Sequence, residues 1–287
     1  MKINRAYKTE LKLNNKERSL MEQCSGCARF VYNWALARRI DEYKLTDKSS
    51  NAIEQHRQLN LLKKDELSWL YLYSKSIPQN ELRNLDKAFQ NFFRRVKQKK
   101  CKVGFPKFKS KKKDKQSFRV DGAITIQKDK IKLPRIGWLR LKESSYIPTD
   151  NVKILSATIS KHANKWFVSV QVEEEKPELF SSYGEIIGVD LGINSLAVCS
   201  NGEVFENPKA LKNNMIKLAR IQRKFSRQHR MNKQGSKNQG KTKIKLQKLH
   251  YHISEIRKNN IHKMTTTLVK ANPKKIVIED LNVSGMM

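Results

Sequence analysis

Two carboxylates are the residues best placed to do chemistry. Asp190 lies in "IIGVDLGINSLAV", an apolar and β-branched run from Ile186 to Val198 that reads as a fully buried strand. Glu279 ends a second apolar run, "KKIVIED", which also reads as a buried strand. An ionised carboxylate is costly to bury unless a cation, a metal or hydrogen-bond donors compensate it. If the two strands are parallel neighbours, both acids meet at one edge of a sheet. Paired there, they could hold Mg²⁺, a hard cation that takes oxygen ligands and shares them with substrate phosphates. Two such ions about 3.5–4 Å apart can activate a water and stabilise the leaving oxygen of a phosphodiester. The plainer alternative is two unrelated strand-end acids, solvated or capping the turns that follow. Asp280 falls on the opposite strand face and takes no role.

The remaining chemistry is cationic. Lys and Arg number 60 against 27 Asp and Glu, a formal net charge of +33 that favours a polyanionic partner. Nucleic acid supplies a dense row of phosphates, and basic residues recur from Lys2 to Lys275 rather than in one amphipathic segment as in basic membrane binders. In "GFPKFKSKKKDKQSFR", Phe105, Phe108 and Phe118 interleave with Lys107, Lys109, Lys111, Lys112, Lys113 and Arg119. Aromatics there could stack on bases while cations follow the backbone, or the phenylalanines could simply anchor a solvated loop. Arg94 and Arg95, off the apolar stripe of a preceding helix, would face water or phosphate. "CSGC", Cys24 to Cys27, resembles half a zinc knuckle, but no second pair follows and both cysteines fall on a helical apolar stripe, so they read as small core residues. His250, His252 and His262 have no ligand pattern and read as solvated or near phosphate.

These residues need elements to position them. "INRAYKTELKL" alternates as an opening strand, and Lys16 to about Lys100 is helical. Leu20, Cys24, Cys27, Val31 and Trp34 share one helix face, and Leu82, Leu85, Phe89, Phe92 and Val96 share another on a helix near Gln79 to Lys99. From Lys102 short β segments follow. A hairpin turns around His162 to Lys165, with Leu155, Ala157 and Ile159 inward on one arm and Val168, Val170 and Val172 on the other. The spacing suggests a small barrel or sandwich. "EEEKPELFSSYGE" reads as a linker. Beyond it, a three-stranded meander, two long helices and a strand give the order β-β-β-α-α-β, similar to the first part of an RNase H-like domain. No apolar run approaches the roughly 18 residues of a membrane span. Four scattered cysteines fit a reducing cytoplasm.

Five motifs in order, "GCARFVYNWAL", "GFPKFKSKKKDKQSFR", "IKLPRIGWLRL", "GVDLGINSLAV" and "KIVIEDLNVSGM", resemble the TnpB (OrfB-type) proteins of bacterial insertion sequences, compact relatives of type V CRISPR effectors. The resemblance implies an α+β multidomain chain: residues 1–15 as the first strand of a wedge-type β-barrel, 16–100 as an inserted helical recognition domain and 101–176 as the rest of the barrel. Residues 177–185 would be a linker and 186–287 a RuvC-like nuclease domain. It also implies a guide RNA, double-stranded target DNA recognised by base pairing, and a bacterial or archaeal, nucleoid-associated setting. The family's first catalytic Asp maps onto Asp190 and its catalytic Glu onto Glu279, the metal ligands for Mg²⁺. The family continues with a zinc ribbon and a third catalytic Asp. Both are absent before Met287, so the RuvC-like domain is expected to be incomplete, to leave a sheet edge open and to bind guide RNA without appreciable DNA cutting. "GVDLG" also resembles the first phosphate loop of actin-like ATPases, but Ile193 and Asn194 stand where those proteins carry Thr or Ser.

Overall fold

The computed structural model describes residues 2–99, 103–112, 114–175, 184–231 and 235–281. The chain divides into two compact units, Met1–Pro177 and Glu178–Met287.

The first unit opens with β1 (Lys2–Lys12) and then inserts its helices: α1 (Asn15–Thr46), α2 (Ala52–Leu62), a short 3-10 helix (Ser68–Leu72) and α3 (Ser76–Lys97). The single helical span expected from Lys16 is broken where the local chemistry stops it. Asn14 caps α1 by accepting from the Glu17 amide while Glu17 accepts from the Asn14 amide, and Asp47 ends it in the left-handed region at φ 52°. Asn51 and Glu54 repeat the capping box at the start of α2. Strands β2 (Ser117–Val120), β3 (Thr125–Gln127), β4 (Lys130–Leu133), β5 (Gly137–Leu141), β6 (Val152–His162) and β7 (Lys165–Glu175) complete a seven-stranded sheet in the order β2-β6-β7-β1-β5-β4-β3. β1 bridges its two parts, pairing with β7 along Lys2–Glu10 and with β5 at Leu11 and Lys12. The β6–β7 hairpin turns on Ala163 and Asn164, both at positive φ, as a two-residue turn of this hand requires. One register differs from the alternation. The β6–β7 ladder shifts between Ile154 and Ser156, so Ile154 packs on the core and Leu155 sits at the irregularity. Helices and sheet share one apolar core, with Met21, Val31 and Leu85 joining Val120, Ile159 and Val170.

The second unit carries β8 (Gly184–Asp190), β9 (Ser195–Cys199), β10 (Val204–Glu206), α4 (Ala210–Met231), α5 (Lys237–Lys270) and β11 (Pro273–Ile278). Its sheet order is β10-β9-β8-β11, antiparallel within the meander and parallel between β8 and β11. Met264 and Leu268 of α5 cover Ile187, Val189, Ala197 and Cys199 on one face. Two expectations are corrected here. β11 is an edge strand of the described sheet, and Ile276, Val277 and Ile278 are exposed rather than buried. Asp190 ends β8 and is exposed, so its carboxylate is not a buried charge.

Candidate metal centre and nucleic-acid interface

The parallel ladder between β8 and β11 fixes where the acids stand. Its last pairs match Val277 with Gly188 and Ile278 with Val189. Asp190 and Glu279 are the next position on each strand, at the C-terminal ends of adjacent parallel strands. Adjacent strands lie about 4.8 Å apart, so one step of register decides whether the acids are neighbours. That register is set at the other end by a close backbone approach. Gly184 pairs with Pro273, and a Cβ on Gly184 would come within 2.6 Å of the Asn272 carbonyl oxygen. Only a residue without a side chain lets β11 start there. Beyond Asp190 the chain is tied back by Asn207, whose Nδ2 donates to the Ile193 carbonyl at 2.6 Å. The Ser200 hydroxyl accepts from the Gly188 amide at 3.0 Å. Gly184, Asn207 and Ser200 escaped the sequence reading. Gly184 fell in the linker range, and neither spacing nor motif singles out the other two.

Neither Asp190 nor Glu279 makes an ion pair among the described residues. Both are exposed and offer hard oxygen donors of the kind Mg²⁺ takes. Among the described residues no group of three or more His, Cys, Asp or Glu converges on one point. Two exposed carboxylates at adjacent strand ends are oxygen donors of the type a divalent cation takes, and they are fewer than a closed protein site would need.

The basic residues divide into tethered and free. Phe118 is 2% exposed in β2 and belongs to the core, so it anchors the strand and cannot stack on a base. The pairing of β2 with β6 turns it inward, opposite Ile159. Lys109 is likewise structural: its Nζ donates to Glu81 at 2.7 Å and lies 4.0 Å from the centre of the Tyr32 ring. Asn33 clamps its backbone in both directions. Arg119 pairs with Asp121 at 3.0 Å, and Arg94 donates to Asn91 at 2.9 Å, though both stay exposed. Arg95, Lys107, Lys111 and Lys112 are exposed, and Lys113 lies outside the described residues. Phe105 packs edge-on against Phe89 and Phe92 of α3 at 5.6 and 5.3 Å, so it mostly anchors the segment, whereas Phe108 is exposed. The helical stripe of α3 outruns the core, since Leu82 and Leu85 are buried but Val96 is exposed.

Cys24 and Cys27 are buried in α1, and burial pushes both thiols up to about 12. They are core residues. His250, His252 and His262 are exposed on α5.

An all-helical DNA-reading module is not what this fold provides; it is a mixed α/β chain with a basic surface and a strand-end pair of acids. The C-terminal residues 168–287 match a family model described as "Probable transposase", and residues 1–48 match one described as "Helix-turn-helix domain". In this chain those first residues form one strand and one unbroken helix. InsQ of Escherichia coli (strain K12), named as a candidate RNA-guided DNA endonuclease, is 34% identical over 100% of this chain and 68% of its own length. A candidate RNA-guided DNA endonuclease of Streptomyces pristinaespiralis is 31% identical over 99% of this chain and 69% of its own length. Cas12f1, solved with its sgRNA and target DNA, superposes with a TM-score of 0.53 at 13% identity, over 98% of this chain and 81% of that chain, a likeness of fold. The chain belongs to the TnpB (OrfB-type) family. The actin-like alternative falls away with that membership.

Proposed function

We propose that this chain is an RNA-guided DNA-binding protein with a divalent-metal site at Asp190 and Glu279. The observation that carries the reading is the in-register parallel pairing of β8 with β11, in a chain of this family, which brings both strand-end acids to one sheet edge. The sheet order β10-β9-β8-β11 and the two helices between β10 and β11 support a RuvC-like unit. The seven-stranded sheet interrupted by α1 to α3 supports a wedge-type domain with a helical insert.

When bound, a divalent cation supplies Lewis-acid polarisation of a phosphodiester and an activated water. The chain's own residues supply the frame. Gly184 sets the register, Asp190 and Glu279 present oxygen donors from rigid strand ends, and Asn207 holds the loop that follows Asp190. Two carboxylates suffice for one Mg²⁺ completed by substrate phosphate.

The test is to load the 287-residue chain with a guide RNA and present matched duplex DNA in Mg²⁺. Matched DNA is expected to be retained, and any cutting that Mg²⁺ supports is expected to be lost in Asp190→Ala. Cutting that survives Asp190→Ala would overturn the metal-site assignment, and retention that ignores the match would overturn the proposal as a whole.

A further inference from the structure

A hollow of about 650 Å³ opens in the second unit between the loop that follows Asp190, the start of α4 and α5. Leu196 and Pro208 line it half-buried, and Leu211, Met215 and Ile261 line it exposed. The packing of the two helices leaves these last side chains open. Ala210, Leu218 and Ile221 of α4 meet Leu249, Ile253 and Ile256 of α5 in one cluster. Leu211 and Met215, four residues apart, share a helix face beside that seam, where Met215 keeps 53% of its surface exposed.

The charge around the hollow is of one sign. Lys209, Lys212 and Arg257 line it, and among the described residues neither Asp nor Glu does. None of the three cations makes an ion pair among the described residues. Two of the amides at the hollow are engaged within the chain. Asn207 donates to the Ile193 carbonyl at 2.6 Å and accepts from the Lys209 amide at 2.9 Å, and Asn260 donates to the Ile256 carbonyl at 2.8 Å. A hollow of this size with apolar walls takes the body of a small molecule, and a few convergent polar groups orient it. A neutral apolar ligand would leave the cations unused, and a bare phosphate or acetate would leave the aliphatic walls wet. Among the described residues no aromatic ring lines the hollow, so it offers a nucleic-acid base no stacking partner. Aliphatic walls with a cationic, acid-free rim match an aliphatic body that carries a negative head.

We propose that this hollow binds a small amphipathic anion, an aliphatic chain ending in a carboxylate, with the chain against Leu211, Met215 and Ile261 and the head at Lys212 and Arg257. The experiment titrates the full chain calorimetrically with octanoate, acetate and octanol, in the absence of guide, DNA and metal. Octanoate should bind at least about tenfold tighter than acetate, which lacks the chain, and than octanol, which lacks the charge. The double variant Leu211→Gln, Met215→Gln replaces exposed residues by a good helix former, so it should keep the circular dichroism of the native chain. It should weaken octanoate about tenfold or more. Lys212→Gln with Arg257→Gln should weaken octanoate by a similar factor and leave octanol unchanged. Lys111→Gln with Lys112→Gln removes the same charge from the first unit and should leave octanoate binding as it is. Octanoate no tighter than acetate, or equal weakening by the two charge variants, would reduce the effect to net charge and overturn the proposal. Unchanged octanoate affinity in the Leu211 and Met215 variant would overturn it as well. Because the titration contains no guide, DNA or metal, a failure here is separate from a failure of the guided reading.

Discussion

Cys24 and Cys27 show how the environment of a residue, more than its type, decides its chemistry. A Cys-x-x-Cys pair can bind zinc only as thiolates. Burial in α1 raises both thiols to about 12, so at neutral pH they are protonated, and they pack among core side chains such as Val31. The folded chain should therefore leave Cys24 and Cys27 unmodified by an alkylating reagent at pH 8. Both should react once denaturant unfolds the first unit and their pKa returns to the ordinary thiol range. Peptide mapping by mass spectrometry reads this directly, and rapid labelling of either cysteine in the folded chain would contradict the core assignment. Asp190 shows the converse. Its sequence setting suggested a buried charge that needed rescue, whereas at the end of β8 it is hydrated and available to a ligand.

Among the elements, the helical insert is held by one buried polar network. Arg39 of α1 is nearly inaccessible; its guanidinium pairs with Asp86 of α3, and its Nε donates to Gln55 of α2 at 3.0 Å. Gln55 in turn donates to the Ala35 carbonyl at 2.8 Å, and Asp86 also accepts from the Ala52 amide at 3.0 Å. Removing one partner leaves a buried charge uncompensated, a loss of about 3–5 kcal/mol for such pairs. Asp86→Ala should therefore destabilise the first unit by that amount in a urea titration. All four tryptophans lie in this unit, so their fluorescence reports it alone. A change under about 1 kcal/mol, the size of an exposed pair, would show that Arg39 finds another partner. None of this network was legible in the sequence, because Arg39, Gln55 and Asp86 are far apart in the chain and polar residues follow no apolar period. What was legible follows local rules: the stripe of α1, the alternation of the β6–β7 hairpin and the strand-end placement of Asp190. β11 was misjudged because an apolar run reads the same whether it is covered or lies at an edge. The Leu155 alternation failed because a bulge moves the register without changing composition.

At the scale of the whole molecule, a net charge of +33 sets the partner class before any site does. Charge alone gives binding that ignores sequence and weakens steeply with salt. Replacing Lys111, Lys112 and Lys113 by Gln should lower the log–log salt slope on duplex DNA by up to about 2.7 if all three meet phosphate, and an unchanged slope would return that run to a solvated loop. In the guided reading proposed above, specificity comes from base pairing with the guide rather than from this charge. The most direct measurement is equilibrium binding of the 287-residue chain, loaded with one of two guide RNAs, to two duplexes that differ only in the guide-matched segment and carry randomised flanks. The account predicts that each guide favours its own duplex by about tenfold or more, and that exchanging the guides exchanges the preference. Equal affinity for both duplexes with either guide would contradict it.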